Sequence, residues 1–332
     1  MGPWNKRWLA VLGMAVLLCS CRTVGFYGQA VSGQLDVLSK REPIEKVAAE
    51  TSDEALKQRL ELTRKLLVFA EQELRMPSGG SYELYSDIGR EHLVWLIYAA
   101  PELSLEPKDW WYPVVGKQDY RGYFREELAL KEVEQLKTEG YETWISEVNA
   151  FSTLGWFRDP VLNTFAGYEE ADYAELIFHE LAHRKYYVRG DTPFNEGMAE
   201  AVAREGLRRW FRKTGRPELV ARYEDRLGRV RQAMALIGGA IERLDAVYEG
   251  EGSEAEKRDG KRRELAELKS GLRKLRGEWG GGLTSWIDDP INNARLNSFI
   301  TYEGEVPRFA RLIEECGGDF EVFWERVREL EP

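Results

Sequence analysis

The chain contains little histidine and little cysteine, and each scarcity narrows the chemistry open to it. Three cysteines among 332 residues cannot form the disulfide framework of a small secreted scaffold. Three histidines are so few that the position of each one is informative. The sequence shows no apparent Ser, His and Asp set for acyl-enzyme chemistry. It also lacks a glycine-rich fingerprint for phosphate or dinucleotide binding.

Positive charge is also in short supply. The 47 Lys and Arg residues are outnumbered by 57 Asp and Glu, which gives a net charge of −10 and a pI near 5.2. Such a chain has no general attraction to a polyphosphate backbone, so we expect no nucleic-acid partner. Hydrophobic residues make up 43% of the chain, which is enough for a buried core and argues against disorder.

The most apolar run lies near the amino end, at residues 8–18, after two basic residues. Eleven residues of helix rise about 16 Å, about half of a ~30 Å hydrocarbon core, so the run predicts a signal peptide over residues 1–20. The following Leu18-Cys19-Ser20-Cys21 resembles a bacterial lipobox. That resemblance implies a lipid on Cys21 and an exported lipoprotein on the periplasmic side, anchored to the outer membrane. A plain signal peptide with an incidental cysteine is the alternative.

Residue periodicity after the signal predicts an α+β, predominantly helical fold in one domain over residues 21–332. Helices are expected at residues 25–40, 52–74 and 169–212, with a small β-sheet between residues 110 and 160. Its strands are predicted at residues 111–115, 120–124, 143–148 and 151–157. The last of these fits either an internal strand or an edge strand on which a peptide substrate could pair.

A long antiparallel helical hairpin is predicted over residues 222–276. Its first helix carries apolar residues in an alternation of four and three: Leu227, Val230, Met234, Ile237, Ile241, Leu244 and Tyr248. A polar loop at residues 250–260 follows, and then four leucines continue the alternation. Such a hairpin most often serves packing, although it could also bind a protein partner.

The segment His179-Glu180-Leu181-Ala182-His183 matches the HExxH pattern and lies within a helical periodicity. Histidines four residues apart lie on one helix face, so both imidazoles can reach one Zn²⁺ ion. Glu180 is then placed to take a proton from the zinc-bound water. The alternative, a helix with two ordinary histidines, is disfavoured because two of the chain's three histidines lie in this motif.

The third metal ligand decides the subclass. A metzincin needs glycine and then His or Asp where this chain has Tyr186 and Arg189. Gly190 as the end of one helix, with Thr192 as N-cap and Pro193 as the first residue of the next, predicts a helical turn. The Asn195-Glu196 pair that follows is similar to the gluzincin pattern, which implies Glu196 as the third ligand.

Two other carboxylates compete for that position. Asp191 is more simply explained by turn and cap chemistry. Glu200 lies one helical turn after Glu196, where it could accept the Nδ1 proton of a ligating histidine and fix its tautomer. The number of protein ligands also matters, because a catalytic zinc keeps one position open, whereas a structural zinc has four protein ligands.

Several stretches together resemble a family of bacterial proteins called putative aminopeptidases. The stretches lie at residues 21–40, 95–103, 112–124, 151–161, 176–202 and 292–309. The resemblance implies a zinc-dependent peptidase that acts from the amino end of peptides. In gluzincins a Tyr or His helps to stabilise the oxyanion, so Tyr187, four residues after His183, and Tyr302 become candidates.

Three functions stay open at this point. The first is a zinc aminopeptidase with one zinc ion and a peptide substrate. The second is an endopeptidase of the cell envelope, because the sequence assigns no carboxylate to the substrate α-amine; Glu170 and Glu175 are only near the motif. The third is a non-catalytic lipoprotein that binds a partner through the helical hairpin.

Overall fold

The computed structural model describes residues 25–112, 116–150, 153, 157–303 and 305–330, and only the backbone of residues 300–303. The predicted signal peptide and Cys21 lie outside the described residues, as does most of the predicted strand at 151–157, so these stay predictions. Within the described ranges, none of the helices combines the length and the apolar character needed to cross a bilayer.

The described residues are mainly helical, which confirms that part of the predicted fold class. Helix α1 covers residues 25–39. The later helices are α2 (Ile44–Glu50), α3 (Glu54–Leu74), α4 (Glu126–Thr138), α5 (Asn163–Ala166), α6 (Glu170–Lys185), α7 (Thr192–Lys213), α8 (Pro217–Glu249), α9 (Glu254–Trp279), α10 (Thr284–Asp288), α11 (Asn293–Glu303), α12 (Val306–Glu315) and α13 (Phe320–Glu329).

The strands form small sheets, and one of them covers the candidate site. The strands are β1 (Arg41–Pro43), β2 (Leu84–Ser86), β3 (Val94–Pro101), β4 (Trp110–Tyr112), β5 (Gly116–Gln118), β6 (Tyr120–Tyr123), β7 (Tyr141–Val148) and β8 (Val161–Leu162). The order β6-β3-β7 is fully antiparallel. A second sheet has the order β1-β2-β8, with β2 and β8 parallel, and β4 pairs with β5.

Strand β3, the centre of the antiparallel sheet, is not among the strands predicted above. Its sequence, VWLIYAAP, is almost continuously apolar, and most of its residues are buried. Alternation along the strand turns Trp95 and Ile97 toward α4 and turns Val94 and Leu96 the other way. Helix α4 was also absent from the prediction, which assigned this aromatic-rich region to strands and turns only.

The helical hairpin is present, with bounds that differ from the prediction. Helices α8 and α9 are joined by the four residues 250–253 rather than by 250–260, because Ser253 and Glu256 form a capping box that starts α9 early. Along α8 the buried positions include Ala233 and Ala240, whereas Val230, Met234 and Ile241 are only partly buried. The buried stripe of α8 therefore contains small as well as large side chains.

This correction to the seam predicts a difference between two hairpin variants. Leu244 is fully buried and Met234 is half-buried. We expect Leu244→Ala to lower the free energy of unfolding by about 2–5 kcal/mol, because it leaves a cavity between α8 and α9. Met234→Ala should cost clearly less, and urea unfolding of both variants measures the difference. Equal losses would contradict the observed seam.

Helices α6 and α7 pack side by side within the largest buried cluster, together with α3, α12 and α13. Ile177, Phe178 and Leu181 of α6 are almost completely buried. The ring of Phe178 lies 5.5 Å from that of Phe69 on α3, between ring centroids. These contacts fix the rotation of α6 about its axis, so the opposite face of the helix is held in one orientation.

Candidate metal centre and cleft

Helix α6 ends several residues earlier than the sequence predicts, and α7 begins one residue earlier, at Thr192, so the loop between them is longer than predicted. Helix α6 ends at Lys185, and Tyr186 is already extended, with φ of −152°. Gly190 has φ of +84° and lies within the turn, not at the helix end. The N-cap of α7 is Asp191, not Thr192, because the Asp191 carboxylate accepts the Phe194 N–H at 3.1 Å. The interpretation of Asp191 as a capping residue is therefore confirmed.

Each residue of the Asn195-Glu196-Gly197 segment has a distinct structural position. The buried Asn195 amide accepts the Val188 N–H at 2.8 Å and donates to the Val188 carbonyl at 2.7 Å, which pins the turn to the first part of α7. A Cβ at Gly197 would lie 2.4 Å from the Cβ of Glu305. Glycine at position 197 therefore allows the chain at Glu305 to pack directly against α7. Glu196 lies between Asn195 and Gly197, two positions that are both fixed by packing.

The structure brings His179, His183 and Glu196 together. The Nε2 atoms of the two imidazoles are 3.0 Å apart. The Glu196 carboxylate lies 3.3 Å from His179 Nε2 and 3.5 Å from His183 Nε2. One possible ligand atom from each of the three residues lies within 4.8 Å of the other two, and the residues are buried or half-buried. Two nitrogens and one carboxylate thus converge on one point from consecutive helices.

This donor set fits a zinc ion. Tetrahedral ligands at about 2.0–2.1 Å from zinc are about 3.3–3.4 Å from one another. The three observed separations, 3.0, 3.3 and 3.5 Å, lie around that value. Burial lowers the pKa of His179, but hydrogen bonds to Glu196 and Glu200 outweigh burial and raise it well above the ordinary value. The same negative charges that favour a proton here also favour a divalent cation.

Glu180 is adjacent to the group in sequence and lines the same cavity. Its exposed fraction is 7%, and its Oε2 atom has no hydrogen-bond partner among the residues that the structure describes. Burial raises the pKa of the Glu180 carboxyl, although the charges of His179 and His183 act in the opposite direction. A buried carboxylate with an unused acceptor is the arrangement expected of a group that takes a proton from a bound water.

Glu200 lies where the sequence reasoning placed it, behind His179. Its Oε2 atom is 3.4 Å from His179 Nδ1, and its Oε1 atom accepts the Arg204 Nε–H at 2.6 Å. Burial raises the pKa of Glu200, but His179 and Arg204 outweigh that effect and lower it to about 2. The ionised carboxylate can hold His179 with Nδ1 protonated and Nε2 directed at Glu196.

The two tyrosines predicted to stabilise an oxyanion have different outcomes. Tyr187 lines the cavity, and its ring centroid lies 6.2 Å from that of His183. Tyr302 lies in α11, where the structure describes its backbone but not its side chain. Tyr120 of β6 also lines the cavity, and no feature of the sequence reasoning singled it out.

A cleft with a volume of about 690 Å³ extends over these residues. Its floor is one face of α6, from Asp172 to His183, continued by Tyr187, with Glu196 and Glu200 of α7 beside it. Its roof is the face of the antiparallel sheet that carries Val94, Leu96, Tyr120, Gly122 and Val148. A cavity of this size holds a small ligand or a few residues of a peptide.

The polar lining of the cleft is strongly acidic. Asp172, Glu175, Glu180, Glu196 and Glu200 all line it, and neither lysine nor arginine does so among the described residues. Arg226 of α8 lies behind this lining, with its Nη2 atom 2.7 Å from Glu175, and it also pairs with Asp172. Burial raises the pKa of Glu175, and the charge of Glu200 adds to the effect.

Glu170 and Glu175, which the sequence could not separate, point to different places. The Glu170 carboxylate binds the Arg216 guanidinium at 2.6 and 2.7 Å and accepts the indole N–H of Trp210 at 2.9 Å. It therefore supports the α6–α7 packing and does not line the cleft. Glu175 lines the cleft one helical turn before His179. Position along α6 decides between them.

A hydrogen-bonded bridge joins roof and floor at the end of the cleft beyond the first turn of α6. The Asn149 amide, just after β7, donates to the hydroxyl of Tyr168 at 2.6 Å. The other side of Asn149 faces His92, whose Nδ1 lies 2.9 Å from the amide oxygen. The third histidine of the chain thus has a structural partner and is not part of the donor group.

The fold and the site together define a mainly helical protein with a two-histidine, one-glutamate donor group on the floor of an acidic cleft. The family described as "Putative aminopeptidase" matches residues 25–332, so the chain belongs to this family. Membership confirms the resemblance noted in the sequence and suggests a peptidase. No curated protein and no solved structure matches the chain.

Proposed function

We propose that this protein is a zinc-dependent aminopeptidase. The observation that carries the proposal is the convergence of His179 Nε2, His183 Nε2 and the Glu196 carboxylate beneath a cleft, with Glu180 beside them. His179, His183 and Glu196 would hold one zinc ion, and a three-residue set leaves a position open, as catalytic zinc sites do. Family membership supports peptide as the substrate.

In this proposal the residues of the chain divide the chemical work. A zinc ion held by these residues would polarise the scissile carbonyl and lower the pKa of a bound water. Glu180 takes the proton of the attacking water with its unpartnered oxygen and then passes it to the leaving amine. The Tyr187 hydroxyl, at the far end of the floor, is the candidate donor to the oxyanion. Glu200 keeps the His179 ring oriented.

The charge of the cleft favours the amino end of a peptide over its carboxyl end. Asp172 and Glu175 extend the acidic floor away from Glu180, toward the bridge between Asn149 and Tyr168. The five carboxylates of the lining outnumber the two guanidinium groups that pair with them, those of Arg204 and Arg226. A free α-ammonium group is therefore attracted to the lining, whereas a terminal carboxylate is repelled. In this proposal the first residue of the peptide lies at that end, near Asp172 and Glu175, and the peptide extends out past Tyr187.

Peptides with free and N-acetylated amino ends provide the test. We expect the zinc-loaded protein to hydrolyse free peptides with kcat/KM about 100-fold above that of the acetylated forms, since acetylation removes the ammonium charge. Glu175→Gln should raise KM for free peptides more than it lowers kcat. The matched control is Glu170→Gln, which should leave KM for free peptides and the ratio of free to acetylated kcat/KM unchanged.

Equal cleavage of blocked and free peptides would replace the aminopeptidase with an endopeptidase. Failure of the zinc-loaded protein to cleave any peptide in a library would refute hydrolysis altogether. In that case the non-catalytic interpretation, in which the hairpin of α8 and α9 binds a partner, would be the next hypothesis to test.

A further inference from the structure

We propose that the sheet side of the cleft binds a large apolar side chain, that of the amino-terminal residue of the substrate, and that Gly122 sets the size of this pocket. The inference rests on the proposed function and names the class of peptide that the site would prefer. Substrates of this class begin with leucine, phenylalanine or methionine rather than with a small or charged residue.

The first observation is the apolar surface that faces the cleft. Leu96 of β3 and Val148 of β7 are half-buried and line the cavity, and Leu176 of α6 lies opposite them on the floor. On the other face of the same sheet, Trp95 and Ile97 are covered by α4 and are almost completely buried. Apolar surface of this kind favours a ligand whose apolar side chain removes it from water.

The second observation is the position of this surface relative to the donor group. Leu176 lies one helical turn before His179, on the same side as Asp172 and Glu175. An α-ammonium group near these carboxylates places its own residue, and no other residue of the peptide, beneath Leu96 and Val148. The side chain of that residue therefore points into the apolar roof while its carbonyl lies toward His179 and His183.

The third observation concerns Gly122, which stands opposite Leu96 in the register of β6 and β3. A Cβ added to Gly122 would lie 3.2 Å from a methyl carbon of Val94 and 3.2 Å from one of Leu96. The backbone of Gly122 is not in the left-handed region, so its conformation does not require glycine. Glycine within a strand often marks a place where a ligand approaches closely.

The strand that carries Gly122 is held independently of any side chain at that position. The Gln29 amide of α1 donates to the Gly122 carbonyl at 3.3 Å and accepts the Phe124 N–H at 2.9 Å. These bonds use backbone groups on the edge of β6 that does not pair with β3. A larger residue at position 122 can therefore fill part of the cavity without breaking the bonds that hold the strand. They also occupy part of the edge on which a peptide could otherwise pair.

Substitutions of opposite effect test the assignment. Wild type should cleave Leu- and Phe-4-nitroanilide with kcat/KM at least tenfold above Ala-4-nitroanilide, because each methylene in an apolar pocket is worth about 10–200-fold. Gly122→Val should reduce the Leu and Phe rates about tenfold or more and leave the Ala rate nearly unchanged. Leu96→Ala, which enlarges the same pocket, should raise the ratio of Phe to Leu.

Gly238→Val is the control for Gly122→Val, since an added Cβ at Gly238 meets no atom within 4 Å. Zinc content and melting temperature of each variant verify that the protein is folded. A uniform loss on all three substrates, or a wild-type preference for Ala over Leu and Phe, would overturn the inference and leave the aminopeptidase proposal standing.

Peptide binding to Glu180→Gln, measured by calorimetry, separates the two proposals. Tighter binding of a Leu-initiated peptide than of a Gly-initiated one, lost in the double variant with Gly122→Val, supports the pocket even if no hydrolysis is found in wild type. Equal binding of the two peptides overturns it, whatever the activity.

Discussion

Glu180→Gln is expected to lower kcat for peptide hydrolysis about 10³-fold, within the 10²–10⁴-fold range of a lost general base. The amide has nearly the shape of the carboxylate but cannot accept the proton of the attacking water. Because Glu180 is not one of the three convergent donors, the variant should bind zinc as wild type does. Steady-state kinetics with free-amine peptides, together with metal analysis of the same sample, measures both quantities.

The control for this variant is Glu314→Gln, which makes the same chemical change on an exposed face of α12. It should retain full activity. Wild-type turnover by Glu180→Gln would mean that another group takes the proton, and the proposed mechanism would then be wrong. Loss of zinc from Glu180→Gln would instead mean that the residue is a ligand.

Removing one of the three donors should have the largest effect on metal binding. We expect Glu196→Ala and His183→Ala each to reduce the zinc content from about one ion per chain to nearly none after dialysis, because two ligands do not complete the usual three-residue set. Peptidase activity should disappear with the metal. Atomic absorption on dialysed protein gives the stoichiometry directly.

Asp191→Asn provides the matched control, because Asp191 is the other carboxylate of the same turn. Asparagine caps helices about as well as aspartate, so the start of α7 and the zinc content should both be retained. If Asp191→Asn lost zinc while Glu196→Ala kept it, the assignment of the third ligand would have to be exchanged between these two residues.

The floor of the cleft was accessible from the sequence because it is local. His179 and His183 are one helical turn apart on α6. Because the loop between α6 and α7 is short, α7 packs back against α6 and brings Glu196 close to both histidines. Helical spacing therefore predicts which side chains share a face, and the structure brings all three donors together. The error of one residue at the N-cap arose because Asp191 and Thr192 are both good capping residues.

The roof of the cleft depends on contacts that sequence periodicity does not report. Strand β3 is buried on both faces, so it lacks the alternation of apolar and polar residues by which strands are recognised. Its pairing with β6 and β7 joins segments far apart in the chain. Gly122 gains its meaning only from the methyl groups of Val94 and Leu96 across the strand pair.

The hairpin shows a related limit. A 4-3 alternation of large apolar residues identified α8, but it placed Met234 and Ile241 at the centre of a seam that Ala233 and Ala240 occupy. Ala233 and Ala240 are buried in the same cluster as Leu244 of α8 and Leu268 and Leu272 of α9. A pattern built only on large apolar side chains therefore misses the buried alanines of the seam.

The most direct measurement of the central claim is a crystal structure of the zinc-loaded protein with anomalous diffraction at the zinc edge. Our account predicts one zinc ion about 2.0–2.2 Å from Nε2 of His179, from Nε2 of His183 and from a carboxylate oxygen of Glu196. Zinc bound elsewhere, or a Glu196 side chain directed away from the two imidazoles, would contradict it.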